Sequence, residues 1–151
     1  MIKRIIAVGS PHGDDQVAWA LVKKLDVTKA KEQGVDILLR DRPGLSLLKD
    51  FDPAEPTLLI DAADFGGRIG ECRLLDHQAV QDRSIDSHVS GHGIGVQGLL
   101  DLAHSLKHPL PALNIMAIQI QSVKPMAPLS EELTSCLPDL FVQLKRFLRV
   151  V

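Results

Sequence analysis

The stretch Ile5–Leu25, IIAVGSPHGDDQVAWALVKKL, decides the fold of this chain. An apolar run, Ile5-Ile6-Ala7-Val8, breaks at Gly9-Ser10-Pro11-His12-Gly13. Two adjacent carboxylates follow at Asp14 and Asp15, and apolar residues then return with helical spacing at Ala18, Leu21, Val22 and Leu25. The order is strand, tight loop, helix. In an open α/β sheet, ligands bind in the crevice at the carboxyl ends of the strands, so this loop carries its acids to the place where a site is expected. An acidic pair there attracts cations.

The same pattern recurs further on. Thr57-Leu58-Leu59-Ile60 is an apolar strand that ends in Asp61, and Ala62-Ala63-Asp64-Phe65-Gly66-Gly67 follows. Between the two motifs lie a polar connection at Lys29–Gly34, a short strand at Val35–Leu39 and a short helix over Leu45–Asp50. Ile69–Leu75 reads as a fourth strand at a sheet edge, because Glu71 and Arg73 alternate with Cys72 and Leu74. A polar, irregular stretch from His77 to Gly93 carries His88 and His92, and it leads into a helix with apolar residues at Val96, Leu99, Leu100, Ala103 and Leu106. Asn114–Ile120 is a last buried strand. The final helix opens at Ser130, a natural N-cap, with Glu131 and Glu132 at its positive end; Pro138 can restart a turn, and Leu133, Leu137, Leu140, Phe141, Leu144, Phe147 and Leu148 form one face. Strands alternating with helices predict an α/β fold: a three-layer sandwich with a mainly parallel twisted sheet of about five strands and helices on both faces.

With 151 residues, 45% of them hydrophobic, the chain suits one domain over residues 1–151 with a core of its own. Seventeen basic residues against 19 acidic ones, a net charge of −2, leave no positive tract for nucleic acid or an anionic membrane. One Trp, four Phe and no Tyr offer no stacking platform for bases. No apolar run reaches the roughly 20 residues needed to span a bilayer, and Met1-Ile2-Lys3-Arg4 leads into a strand without a signal-type cleavage site. The expectation is a cytoplasmic protein, a monomer with neither nucleic-acid nor membrane partners. Cys72 and Cys136 stand far apart with no CxxC or CxxH companion, which indicates neither a thiolate zinc site nor a disulfide framework.

Asp14 or Asp15 after the first strand, Asp61 after the third, and His88 or His92 before a helix all fall where a doubly wound sheet gathers its loops. Two carboxylates and an imidazole make a mixed oxygen and nitrogen site, which suits zinc, nickel, iron or manganese better than magnesium. Taken singly, each residue also has a plainer use: Asp15 as a helix cap, Asp61 as a turn cap, the histidines as solvated loop residues. The glycines of the first loop lack the GxGxxG order for a dinucleotide, there is no GxxxxGK[ST] for a phosphate, and no GxSxG elbow presents a serine.

Four blocks in this order, VGSPHGDDQVAWALVKKL, LLIDAADFGGRIGE, SHVSGHGIGVQGLLDLA and IMAIQIQSVKPMAPLSEEL, resemble the motifs of the hydrogenase maturation proteases across residues 4–148. The resemblance implies an endopeptidase that removes the C-terminal extension of a nickel–iron hydrogenase large-subunit precursor after nickel insertion. It implies that Asp15, Asp61 and His92 are both the metal ligands and the catalytic groups, with His88 as the fallback histidine. The nickel would come with the substrate precursor, and the free protein could hold another divalent metal. The first loop departs from the family pattern. It reads Gly9-Ser10, one residue shorter than usual, and Gln16-Val17-Ala18 replaces a glycine-bearing continuation.

A rival reading comes from phospho-receiver domains, which also place paired acids after the first strand, an Asp after the third and a Lys-Pro after the fifth. Here those would be Asp14-Asp15, a phosphorylated Asp61 and Lys124-Pro125. The five residues Gly9 to Gly13 ahead of the acids speak against it, as does the lack of a strand ending in Ser/Thr-Ala. A third reading is a family member without activity that serves as a binding module.

Overall fold

In a computed structural model, residues 1–41, 44–76, 95–121 and 123–150 are described. Five strands form one sheet: β1 (Arg4–Gly9), β2 (Asp36–Asp41), β3 (Thr57–Ala63), β4 (Cys72–Asp76) and β5 (Leu113–Gln119). Their order is β2-β1-β3-β5-β4. β1, β2, β3 and β5 are mutually parallel, and β4 runs antiparallel along β5 with Cys72 opposite Ile118. The mainly parallel three-layer arrangement expected from the sequence is present, and the strand at 72–76 is at an edge. The order departs from the 2-1-3-4-5 of receiver-type doubly wound sheets.

The helices are α1 (Val17–Val22), α2 (Val27–Glu32), α3 (Gly95–Ser105) and α4 (Glu131–Val150). Because strand side chains alternate between faces, β3 feeds two separate cores. Leu58, Ile60 and Ala62 pack with Val17, Ala18 and Leu21 of α1 and with Leu133, Leu140 and Leu144 of α4. Leu59 on the opposite face packs with Leu99, Leu100 and Ala103 of α3 and with Leu47, Leu48 and Phe51 of the Gly44–Asp50 3-10 helix. All seven residues of β3 are buried, as a central parallel strand covered on both sides requires. Each fully buried leucine contributes about 1.5–3 kcal/mol, and that is what holds α4 down along one stripe while its other faces stay in water.

Three local readings are corrected. Lys29–Gly34 is not a bare connection: α2 covers Val27–Glu32. Asp26 caps it by accepting from the Lys29 N–H at 3.0 Å, and Gly34, at φ +78°, closes it, with Val35 N–H on Ala30 O and Gly34 N–H on Lys31 O. None of its residues is buried, so it has no apolar period to detect. β3 runs past Ile60 to Ala63, because Asp61, Ala62 and Ala63 continue the ladder with Ala117, Ile118 and Gln119. Pro138 does not restart a turn; it lies inside the continuous helix α4.

Candidate functional site

In the strand order β1 sits between β2 and β3, so the chain leaves β1 to one side and returns to the other. That reversal is a topological switch point, and the crevice beyond the carboxyl ends of β1 and β3 is where such sheets place ligands. Asp15 and Asp61 flank it. Asp15 lies in the Gly13–Gln16 3-10 turn that follows β1, and this turn packs against β3. Asp61 lies within β3, one residue beyond Ile60, which pairs with Ala7 of β1.

Both carboxylates are enclosed, Asp15 at 0% and Asp61 at 2% exposure. Buried carboxylates persist only where hydrogen bonds or a cation compensate for lost water. Asp15 accepts a short hydrogen bond through Oδ2 from Ser10 Oγ, and its backbone N–H donates to His12 O at 3.1 Å. Asp61 shares the β3 face of Leu59, so its side chain points toward the layer built by α3 and the Gly44–Asp50 helix. His92 and His88 lie outside the described residues, which resume as α3 at Gly95. Among the described residues no three His, Cys, Asp or Glu side chains converge as a metal site.

The structure separates the adjacent acids. Asp14, 3% exposed, is spent on packing the chain: its Oδ1 accepts from the Ser130 N–H at 2.9 Å, next to the start of α4. Ser130 in turn caps that helix, with Oγ accepting from the Leu133 N–H at 3.2 Å, as the sequence suggested.

Sequence reasoning passed over Gln119. It is 5% exposed at the end of β5, and its side chain makes four hydrogen bonds. Oε1 accepts from Phe65 N–H at 2.9 Å and Gly67 N–H at 3.1 Å; Nε2 donates to Asp64 Oδ1 at 3.0 Å and Ile120 O at 2.8 Å. One amide thereby shapes the whole loop after Asp61. Its bond to Asp64, with a second from the Gly66 N–H, holds the exposed Asp64 carboxyl below the usual carboxylate range. A polar residue in the otherwise apolar run Ile115–Ile120 was the available signal, since a buried amide must find partners.

Beside this loop a groove of about 750 Å³ opens at the same sheet edge. Arg68, Glu71 and the loop glycines make one wall, Gln119 and Gln121 the floor, and Glu132, Cys136 and Asp139 of α4 the other wall.

The family model for the hydrogenase maturation proteases matches residues 19–145. The chain belongs to the hydrogenase maturation protease family. It is therefore a peptidase, a hydrolase that serves hydrogenase maturation. The matched segment contains Asp61 and His92 and begins beyond Asp15. No curated protein matches in sequence. Among solved structures, the chain is similar to the hydrogenase maturating endopeptidase HybD from E. coli, at 20% identity and a TM-score of 0.71, over 99% of this chain and 93% of that one. It is also similar to the [NiFe] hydrogenase maturation protease HybD from Thermococcus kodakarensis, at 17% identity and a TM-score of 0.65, covering 97% and 99%. A third, the maturation protease HycI from Thermococcus kodakarensis KOD1, gives 17% identity and a TM-score of 0.66, covering 97% and 92%. At these identities the likeness is one of fold, and it extends over nearly the whole chain.

Proposed function

We propose that this maturation protease is the endopeptidase that removes the C-terminal extension of a nickel–iron hydrogenase large-subunit precursor once nickel has been inserted, and that Asp15, Asp61 and His92 contact that nickel. The observation that carries the reading is the pair of enclosed carboxylates flanking the β1/β3 switch point, Asp15 at 0% and Asp61 at 2% exposure. Two carboxylates and an imidazole fit a borderline divalent ion such as nickel and leave coordination positions for ligands the precursor brings. The metal belongs to the substrate in this scheme, so three protein ligands suffice.

When bound, nickel supplies Lewis acidity toward the peptide carbonyl to be cleaved. The protein's own groups do the rest. Ser10 holds one oxygen of Asp15, the β3–β5 ladder fixes the backbone of Asp61, and the groove between the Asp64–Glu71 loop and α4 receives the peptide that leads to the scissile bond. Two free cysteines suit the reducing cytoplasm, and among the described residues no helix is long and apolar enough to cross a membrane.

The test is an electrophoretic one: nickel-loaded large-subunit precursor from the same organism is incubated with the wild-type protein or with Asp61→Asn. Shortening by the wild type alone supports the reading. A correctly loaded precursor that stays full length with the wild type overturns it and leaves a different substrate or an inactive member of the family.

A further inference from the structure

The turn that carries Asp15 takes its shape from the far end of the chain. A single 3-10 turn has poor hydrogen-bond geometry of its own, and this one has no side-chain cap at its start. Four contacts instead tie it to residues 126–130. Gly13 N–H donates to Ala127 O at 2.9 Å and Met126 N–H to His12 Nδ1 at 3.0 Å. Ser130 N–H donates to Asp14 Oδ1 at 2.9 Å, and Gln16 Nε2 donates to Ala127 O at 2.8 Å while also reaching Gly13 O at 3.1 Å. Residues 12, 13, 14 and 16 all engage this connection, with Asp15 in their midst. The Gln16 side chain binds both sides at once, reaching Gly13 O within the turn and Ala127 O beyond it.

We infer that Gln16 is a positioning residue for Asp15: by bridging Gly13 O and Ala127 O, its carboxamide locks the turn in the geometry that presents the Asp15 carboxylate to the metal of the substrate. The inference rests on the nickel reading above. Supporting groups behind a metal-contacting residue typically affect metal affinity by 10- to 100-fold, and Gln16 acts at this remove.

The experiment compares the affinity of the full-length protein for the precursor in its nickel-loaded and nickel-free forms, using wild type, Gln16→Ala, Gln16→Glu, Asp15→Asn and the Asp15→Asn/Gln16→Ala double variant. Gln16→Ala is expected to weaken binding of the loaded form about tenfold, to leave the nickel-free form unchanged, and to add nothing in the Asp15→Asn background. Gln16→Glu has no N–H to give to two carbonyl oxygens and should match Gln16→Ala. In both variants the Gly13 amide should exchange with solvent faster. Equal weakening of both precursor forms would reduce Gln16 to a stabilising residue and overturn the inference, as would unchanged binding of the loaded form. If Asp15→Asn itself leaves the loaded and nickel-free affinities as they are in the wild type, the nickel reading has failed and takes the inference with it, a result distinct from silence at Gln16 alone.

Discussion

A Cβ placed on Gly9 would lie 2.6 Å from the carbonyl oxygen of Asp15 and 3.1 Å from the Trp19 indole. The backbone of the acidic turn therefore closes directly over the end of β1, a path open only to glycine. Gly9→Ala must push that backbone away, at a cost of about 1–3 kcal/mol by the usual scale for overpacking. We expect a lower melting temperature together with loss of precursor processing, measured by thermal unfolding and gel shift on the same preparation.

The three proposed nickel contacts should be separable from the fold. Asp15→Asn and Asp61→Asn keep the side-chain volume, and His92→Ala removes an imidazole ahead of α3. Each variant should abolish shortening of the nickel-loaded precursor while retaining the far-ultraviolet circular dichroism of the wild type. Processing at the wild-type rate by all three would remove the metal-contact assignment.

Gln119 gives a prediction with a pH sign. Because the Gln119 amide, and then the Gly66 N–H, favour the ionised form of Asp64, its carboxyl titrates below the usual range. The stabilisation linked to Asp64 is thus present above the ordinary carboxylate value and is lost as pH falls through the depressed one. In Gln119→Ala the titration of Asp64, followed by carboxyl carbon shifts, should move back up toward the ordinary value. An unmoved titration would show that the amide does not set it.

Pro138 has no N–H for the carbonyl of Thr134, yet α4 continues through it, and the residue is exposed. Replacing an interior helix proline regains about 3 kcal/mol, from which up to about 1 kcal/mol is taken by the freer unfolded chain. Pro138→Ala should therefore stabilise the protein by about 2 kcal/mol in urea titration, with the slope unchanged.

The strands were legible because their apolar runs are bounded by turn residues, and the edge position of β4 was legible from Glu71 and Arg73. Its antiparallel direction was not, since alternation is blind to direction and the reversal depends on the turns at Gly66 and Gly70, both at positive φ. α2 escaped notice because it buries nothing, although Asp26 and Gly34 marked both of its ends. The end of β3 was set too early because a charged residue looks like a stop, whereas Asp61 is a rung of a buried ladder. The candidate acids were picked out by their order along the chain. What distinguishes Asp14, tied to Ser130, from Asp15, tied to Ser10, is a contact across the fold that local pattern cannot carry.

The bonds from Gln16 to Ala127 and from Ser130 to Asp14 join residues 111 and 116 positions apart. Such distant pairings form late, because a large loop must close before they return any energy. The acidic turn therefore acquires its final shape only after residues 126–130 have been made and docked against it. A chain that stops short of residues 126–130 carries the acids of the candidate site without the bonds that shape their turn.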